Sequence, residues 1–250
     1  CVFALITSEF LPVSLLTPIA TDLLLTEGQA GQSIAVSGIF AVITSLYIAL
    51  LSQKLDRKIV MFSLTILMIL SGVVVTFAPN YYVLMLGRAL LGMVIGGFWS
   101  LSTATLMRLL PAKDLPKGLV ILNAGNALAA TIAAPLGSFL GAYIGWRGAF
   151  FCIVPIAFIS LIWQLLTFPS MQPAQSKPFS WNVFKLLGRL EFLIGMLAVL
   201  FLFMGQFTLF TYLRPFLETV TKVSMSQLSM ILLMLGITGF IGTVYIGKLL

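Results

Sequence analysis

The chain has 250 residues, of which 60% are hydrophobic and 8% are charged, and its mean hydropathy is +1.12. Soluble domains carry about 25% charged residues, so this composition excludes an ordinary soluble domain. It predicts an all-α protein that crosses a membrane several times. The chain contains no histidine and two cysteines, Cys1 and Cys152. We therefore expect no metal site, no cofactor and no disulfide framework built on these residues.

The apolar runs predict eight helices, since a membrane span needs roughly 20 apolar residues. Cys1 opens directly into the first run, without the basic segment that begins a signal peptide, so we expect the chain to start inside helix 1. The predicted helices, numbered 1 to 8 in chain order, cover residues 1–21, 28–53, 58–78, 81–108, 117–144, 146–168, 191–216 and 226–250.

Glu9 is a carboxylate inside the first apolar run. An ionisable group in the bilayer core is rare and indicates a functional site. Pro12 and Pro18 follow it, and each removes a backbone donor. The pattern predicts an acid beside a broken helix, and hence a polar path through the membrane. A low-dielectric cavity disfavours the charged form of a carboxylate, so Glu9 could load and unload a proton.

The basic residues mark one side of the membrane. Most lie in alternate loops, and a basic excess is typical of the cytoplasmic side. This places the start of helix 1 inside and the loops near Asp22, Asn80, Trp146 and Glu218 outside. The net charge of +7 then needs no nucleic-acid partner, and the lipid bilayer is the expected surrounding. The basic residues in the predicted cytoplasmic loops or at their edges are Lys54, Arg57, Lys58, Arg108, Lys113, Lys117, Lys177, Lys185, Arg189 and Lys248.

Helix 7 repeats helix 1. The string from Ser8 aligns with the string from Gly205 at an offset of 197, which places Gln206 opposite Glu9. Helix 8 repeats helix 2 at an offset of 198. Parallel repeats of this kind are one plan of transporters, with the substrate site at the repeat interface. We expect three regions: a six-helix bundle at 1–168, a cytoplasmic linker at 169–190 with a short amphipathic helix, and two helices of a second bundle at 191–250. Four further helices would complete that bundle.

Four strings carry longer motifs: EFLPVSLLTPIA from Glu9, LGRALLGMVIGGFW from Leu86, AAPLGSFLGAYIGWR from Ala133 and GQFTLFTYLRPF from Gly205. Together they resemble helices 1, 4, 5 and 7 of the major facilitator superfamily, in its drug:proton antiporter branch of twelve-helix exporters. Within that branch they are most similar to exporters of purine nucleosides, and next to exporters of sugars.

The resemblance implies a proton-coupled exporter in a bacterial inner membrane, acting as a monomer on a small-molecule substrate and not as an enzyme. The helix 4 motif adds Arg88 to Glu9 as a candidate for proton coupling. Arg88, Gly92, Ile95, Trp99 and Thr103 share one helical face. The expected substrate contacts are Glu9, Trp99, Asn123, Gln206, Phe210 and Tyr212.

Six further residues are expected to act on conformation. Pro12, Pro18, Pro135 and Gly137 would shape helices 1 and 5, although simple close packing would explain the last two equally well. Asp56 and Arg57, in the loop between helices 2 and 3, could form a latch of charged pairs on the inner side. The alternative is a solvated turn that follows the charge rule.

Four other functions stay open or unfavoured on the sequence. Sugar or multidrug efflux is possible on the same fold, and so is a passive facilitator in which Glu9 only binds substrate. A membrane-embedded enzyme would need a nucleophile–base pair or a metal cluster, and the residue content supplies neither. A primary pump would need a phosphate-binding loop with its lysine, and the sequence has none.

Overall fold

The computed structural model describes residues 1–171, 186 and 188–249, and within these residues it consists of eight α-helices. The fold class is therefore the predicted one. The surface helix predicted between residues 181 and 190 lies largely outside the described residues. The helices are α1 Val2–Asp22, α2 Glu27–Lys54, α3 Arg57–Thr76, α4 Tyr81–Leu109, α5 Leu115–Phe151, α6 Ile153–Thr167, α7 Leu190–Thr219 and α8 Met225–Leu249.

Six apolar stretches among the described helices are long enough to cross a membrane, so this is a multi-pass membrane protein. One of them runs for 53 residues, Leu115–Thr167. At 1.5 Å per residue it is about 80 Å long, more than twice the ~30 Å hydrocarbon core. Gly145, with φ 74° and ψ 167°, kinks it. A positive φ of this size favours glycine, and it divides the stretch into the two predicted spans.

The prolines of α1 do not interrupt it. Pro12 and Pro18 both lie inside one continuous helix from Val2 to Asp22, so the break predicted there is wrong. Most of α1 between Ala4 and Ala20 is buried. The surrounding helices, above all α5, enclose α1, and this packing stabilises a helix that continues past each proline.

Two glycines let α4 approach α2 very closely. A Cβ atom at Gly92 would overlap the Ser37 carbonyl oxygen, and one at Gly96 would overlap the Ala41 carbonyl oxygen. Small residues at a helix interface are the usual means of close packing in membranes. The fit fixes the register of α2 against α4, and this register determines which α2 side chains face the cavity described below.

The two parts of the molecule meet along α1–α7 and α5–α8. We call α1–α6 the N-terminal bundle and α7–α8 the C-terminal pair. The end where α1 stops and α2 starts is the α1–α2 end, and the opposite end is the α2–α3 end. Contacts between bundle and pair run from mid-helix to the α1–α2 end, as from Phe10 to Phe207 and from Thr17 to Glu218. The first half of α7, Leu190 to Gln206, is exposed.

Gly96→Ala is expected to destabilise the protein by about 1–3 kcal/mol, the usual cost of overpacking, because its methyl group would meet backbone that cannot rotate away. Gly205→Ala is the matched control, since a Cβ there meets nothing within 4 Å. Thermal unfolding of the purified protein in detergent measures both. Equal melting temperatures for the two variants would contradict the close approach of α2 and α4.

Candidate functional site

Glu9 faces a cavity of about 260 Å³ between α1, α2, α4 and α7. Among the described residues its carboxylate accepts no hydrogen bond and forms no ion pair, although Arg88 attracts it electrostatically. A carboxylate placed this way can take up a proton or bind a donor group of a ligand. The lining residues are Glu9, Ile34, Ala35, Ser37, Gly38, Ala41, Ile95 and Phe207.

Arg88 is fully enclosed behind this cavity, with 1% of its surface exposed. All three of its guanidinium nitrogens donate to uncharged oxygens. Nε donates to the Ser33 carbonyl at 3.1 Å, Nη1 to the Ser8 carbonyl at 2.9 Å and Nη2 to Ser37 Oγ at 3.2 Å. Because Ser8 is on α1 and both Ser33 and Ser37 are on α2, one side chain of α4 ties three helices together.

Pro12 explains why the Ser8 carbonyl is free to accept from Arg88. In an α-helix the N–H of residue 12 would donate to the carbonyl of residue 8, and proline has no N–H. A buried carbonyl without a donor costs free energy. Arg88 Nη1 supplies the donor that Pro12 lacks. The proline therefore acts by opening a hydrogen-bonding position one residue before Glu9.

Aromatic rings close the cavity toward α7. The rings of Phe10 and Phe207 stack with centroids 5.9 Å apart, and Phe210 meets Phe10 edge-on at 6.4 Å. Phe10 and Phe207 are equivalent in the repeat between helices 1 and 7, with the offset of 197 (207 − 10). Equivalent residues meet in this way when a twofold axis passes between their helices.

Five of the six predicted substrate residues, all except Glu9, lie outside the cavity lining, and Phe210 is one of them although it contacts Phe10. Trp99 is one turn beyond Ile95 on α4, where it packs edge-to-face on Phe98. Asn123 and Gln206 are exposed. Tyr212 packs against α2, where a Cβ added to Gly31 would lie 2.9 Å from its hydroxyl oxygen. The structure thus brings together Glu9, Phe10, Phe207 and Phe210, with Arg88 directly behind them.

Sequence reasoning missed the contribution of α2. Ser33 and Ser37 are four residues apart and therefore share one helical face. Ser37 binds Arg88 through its hydroxyl, whereas Ser33 does so through its backbone carbonyl. Ser37 Oγ also donates to the Ile34 carbonyl at 2.7 Å, so its single proton is already in use. The available signal was Ser37, a hydroxyl inside an apolar helix.

A larger cavity, of about 490 Å³, lies inside the N-terminal bundle and is a weaker candidate. Among the described residues, its wall has no acidic or basic side chain and includes no residue of α7 or α8. Its polar groups are the Cys1 thiol, the indole of Trp163, the hydroxyls of Ser102, Thr105, Ser160 and Thr167, and the amide of Gln164.

Pro135 and Gly137 lie where α5 packs against its neighbours. A Cβ at Gly137 would overlap Ser14 Oγ of α1. Pro135 frees the Thr131 carbonyl, and a Cβ at Gly236 of α8 would lie 2.6 Å from that oxygen. Thr131 Oγ1 donates to the Gly236 carbonyl at 3.0 Å. The two residues thus let α5 approach α1 on one side and α8 on the other.

Asp56 holds the segment after α6 to the start of α3. It accepts hydrogen bonds from the Lys58 N–H at 2.8 Å, from the Met171 N–H at 3.0 Å and from the Ser170 hydroxyl. The Arg57 N–H donates to the Met171 carbonyl at 3.2 Å. These donors are uncharged, so the described contacts of Asp56 differ from the latch of charged pairs expected from the sequence.

A family model described as Major Facilitator Superfamily matches residues 1–250. Among solved structures, the fold resembles a bacterial homolog of the human lysosomal transporter Spinster in an inward-facing, unoccupied conformation. The TM-score is 0.77 at 17% identity, over 91% of this chain and 56% of that one. The chain belongs to the major facilitator superfamily.

Two curated relatives extend over nearly the whole chain. It is 58% identical over 253 residues to the transcription regulatory protein OpdE of Pseudomonas aeruginosa, covering all of this chain and 63% of that protein. It is 42% identical over 243 residues to the purine ribonucleoside efflux pump NepI of Salmonella typhimurium, covering 97% of this chain and 61% of that protein. The chain thus spans about three fifths of the length of these relatives. The resemblance to nucleoside exporters drawn from the motifs is confirmed.

Arg88→Lys is expected to destabilise the protein by about 1–3 kcal/mol, since one ammonium group cannot reach all three acceptors. The loss should be smaller by about 1 kcal/mol in a Pro12→Ala background, where residue 12 regains an N–H for the Ser8 carbonyl. Unfolding of the four forms in a double-mutant cycle measures this coupling. Additive effects within about 0.4 kcal/mol would contradict the link between Pro12 and Arg88.

Asp56→Asn is expected to keep residues 170–171 in place at neutral pH, because the amide oxygen still accepts both N–H donors, whereas Asp56→Ala releases them. Hydrogen–deuterium exchange of the segments containing Lys58 and Met171 measures this. If exchange in Asp56→Asn rises as much as in Asp56→Ala, the negative charge is essential and a charged latch is favoured.

The same site gives a pH dependence with a definite sign. The hydrogen bond from Ser170 is the main cause that lowers the pKa of Asp56, helped by the N–H groups of Met171 and Lys58 and by the Lys58 charge, while partial burial opposes it. Because the folded pKa lies below the unfolded one, the contacts stabilise the protein above the ordinary Asp pKa of about 3.9. That stability is lost as the pH falls through the lowered pKa, and Asp56→Asn should remove this acid dependence.

Proposed function

We propose that the protein is a proton-coupled exporter of small molecules, with purine ribonucleosides as its first candidate substrates. The observation that carries the proposal is the Glu9 carboxylate, which lies unpaired among the described residues in a cavity between the N-terminal bundle and the C-terminal pair. Support for the substrate class comes from the 42% identity to NepI, a purine ribonucleoside efflux pump.

The chemistry of the cavity suits such a ligand. A carboxylate can accept hydrogen bonds from ribose hydroxyls or from a base amine, and phenyl rings pack against the flat face of a base. Glu9 provides the first contact, and Phe207 provides the second. Arg88 is held by three uncharged oxygens, so it acts as a fixed positive charge behind the wall and does not contact the substrate.

Transport proceeds by alternating access. Substrate enters from the cytoplasm while Glu9 is deprotonated. The N-terminal bundle and the part of the protein that contains the C-terminal pair then rock against each other. A proton taken up by Glu9 from outside favours release of the substrate. The return step carries this proton inward. The transporter makes or breaks no bond of the substrate.

The charge distribution supports one orientation in the membrane. Lys54, Arg57, Lys58, Arg108 and Lys113 all belong to the α2–α3 end, and basic residues concentrate on the cytoplasmic side. This puts the α1–α2 end outside in a bacterial inner membrane. Since the described contacts between bundle and pair lie from mid-helix to the α1–α2 end, the structure corresponds to a state closed to the outside.

The name of the relative OpdE describes transcription regulation, which the site does not suggest. An unpaired carboxylate between two groups of membrane helices binds a proton or a small ligand. We therefore carry over the efflux function of NepI and treat a regulatory role as separate from this site.

Glu9→Gln is expected to abolish efflux driven by a pH gradient while keeping exchange of substrate across the membrane, because the amide cannot carry a proton. The measurement uses the complete protein in proteoliposomes, with and without an imposed gradient, and compares a purine ribonucleoside, arabinose and a cationic dye. Glu191→Gln, at an exposed acid at the start of α7, is the matched control.

Two results would contradict the proposal. Native transport that ignores the pH gradient would make the protein a passive facilitator. Coupled transport that survives in Glu9→Gln would move proton coupling to another acid. Efflux of arabinose or of the dye in place of the nucleoside would leave the proton role of Glu9 intact and change the substrate class.

A further inference from the structure

The α1–α2 end is closed by a group of side chains far from Glu9. Thr17 of α1 donates from its hydroxyl to Glu218 Oε2 of α7 at 2.9 Å. Glu218 Oε1 in turn accepts from Arg214 Nε at 2.8 Å, one turn earlier on α7. Arg214 is 2% exposed. The hydrogen bond from Thr17 therefore joins the N-terminal bundle to the Arg214–Glu218 ion pair of the C-terminal pair, in which the arginine is buried and the glutamate is partly exposed.

A second carboxylate lies beside the same hydroxyl. Glu27 Oε1, at the first turn of α2, is 3.3 Å from Thr17 Oγ1. A threonine hydroxyl has one proton, so it can donate fully to only one acceptor at a time. The shorter distance makes Glu218 the better-placed acceptor in this state. Glu27 belongs to the same bundle as Thr17, whereas Glu218 belongs to the other part of the molecule.

We propose that Thr17 is a transferable hydrogen-bond donor that holds the α1–α2 end closed through Glu218 and turns to Glu27 when that end opens. Opening separates α7 from α1 and would otherwise leave the Thr17 hydroxyl without a strong acceptor. Glu27 stays beside Thr17 because both move with the N-terminal bundle. The contact with Glu27, the longer of the two at 3.3 Å against 2.9 Å, replaces part of the hydrogen bond lost to Glu218. Thr17 therefore still favours the closed state, while Glu27 lowers the cost of opening.

The neighbouring packing supports this location for a closure. Tyr212 lies on α7 shortly before Glu218. It is so close to Gly31 of α2 that a Cβ added to Gly31 would be 2.9 Å from the Tyr212 hydroxyl oxygen. Gly31 is one turn after Glu27 on α2. The same two helices that carry the two carboxylates thus contact each other directly in the closed state.

The inference rests on the alternating access proposed above, but its test reads a distance and not transport. Spin labels are attached at Leu24→Cys and Val220→Cys, which are 93% and 67% exposed, in the complete protein with Cys1 and Cys152 replaced by serine. Double electron–electron resonance then gives the populations of short and long distances across the α1–α2 end. Loss of proton coupling in the Glu9 experiment would leave these populations unaffected.

Thr17→Val and Glu27→Ala are expected to act in opposite directions. Thr17→Val removes the donor from both states and should raise the ratio of long to short distances about threefold, less than the roughly tenfold expected for one whole hydrogen bond to a charged group, because the weaker contact with Glu27 is lost with it. Thr17→Ser keeps the hydroxyl and should match the native protein. Glu27→Ala removes the second acceptor, so opening becomes costlier and the short distance should gain population.

Glu27→Gln separates the transfer of the hydrogen bond from simple repulsion between two carboxylates. The amide oxygen still accepts from Thr17 but carries no charge, so the transfer predicts native-like populations. Repulsion alone predicts that Glu27→Gln closes the end as strongly as Glu27→Ala, and that result would overturn the proposal. It would equally be overturned if Thr17→Val left the distances unchanged or shifted them in the same direction as Glu27→Ala.

Discussion

One buried guanidinium determines the geometry of the candidate site. Arg88 lies in the apolar interior of a membrane bundle, where an uncompensated charge is very costly. Its three nitrogens are satisfied by the Ser8 and Ser33 carbonyls and by Ser37 Oγ. A direct ion pair with Glu9 would have occupied the acid. Since the arginine is bound by uncharged oxygens, its charge is held near Glu9 and the carboxylate stays open to the cavity.

The same contact depends on several sequence choices that look unrelated. Pro12 leaves the Ser8 carbonyl without a helical donor, and the spacing of Ser33 and Ser37 places both on one face of α2. Gly92 lets α4 come close enough to α2 for Arg88 to reach them. A proline, a serine hydroxyl, a backbone carbonyl and a glycine on three helices thus converge on one side chain. Changing Pro12, Ser37 or Gly92 alters the surroundings of Glu9 without touching it.

Much of the fold could be predicted from the sequence because membrane helices are encoded by long apolar runs. The eight helices, the turn at Gly145 and the family all followed from these runs and from motifs. Which face of a helix meets the cavity is harder to predict, because an apolar helix in a membrane has apolar residues on every side. Trp99, Asn123, Gln206, Phe210 and Tyr212 were therefore expected at a cavity that the structure forms with Ser37, Gly38 and Phe207 instead.

The predicted break of α1 at its prolines was also wrong for a physical reason. Local rules treat a proline inside a helix as a break, but α1 is enclosed by its neighbours and passes through Pro12 and Pro18 without interruption. The donor to the Ser8 carbonyl comes from another helix, and no local pattern contains that information. The roles of Thr17, Glu27 and Glu218 are hidden for the same reason, since α1 and α7 are 201 residues apart at that contact.

The central claim is that Glu9 exchanges a proton for substrate, and proton release on binding tests it most directly. The complete protein is placed in weakly buffered detergent solution near neutral pH with a pH-sensitive dye, and a purine ribonucleoside is added. We expect the native protein to release protons as the ligand binds and the Glu9→Gln variant to release none while still binding it. Binding without proton release by the native protein, or equal release by both, would contradict the claim.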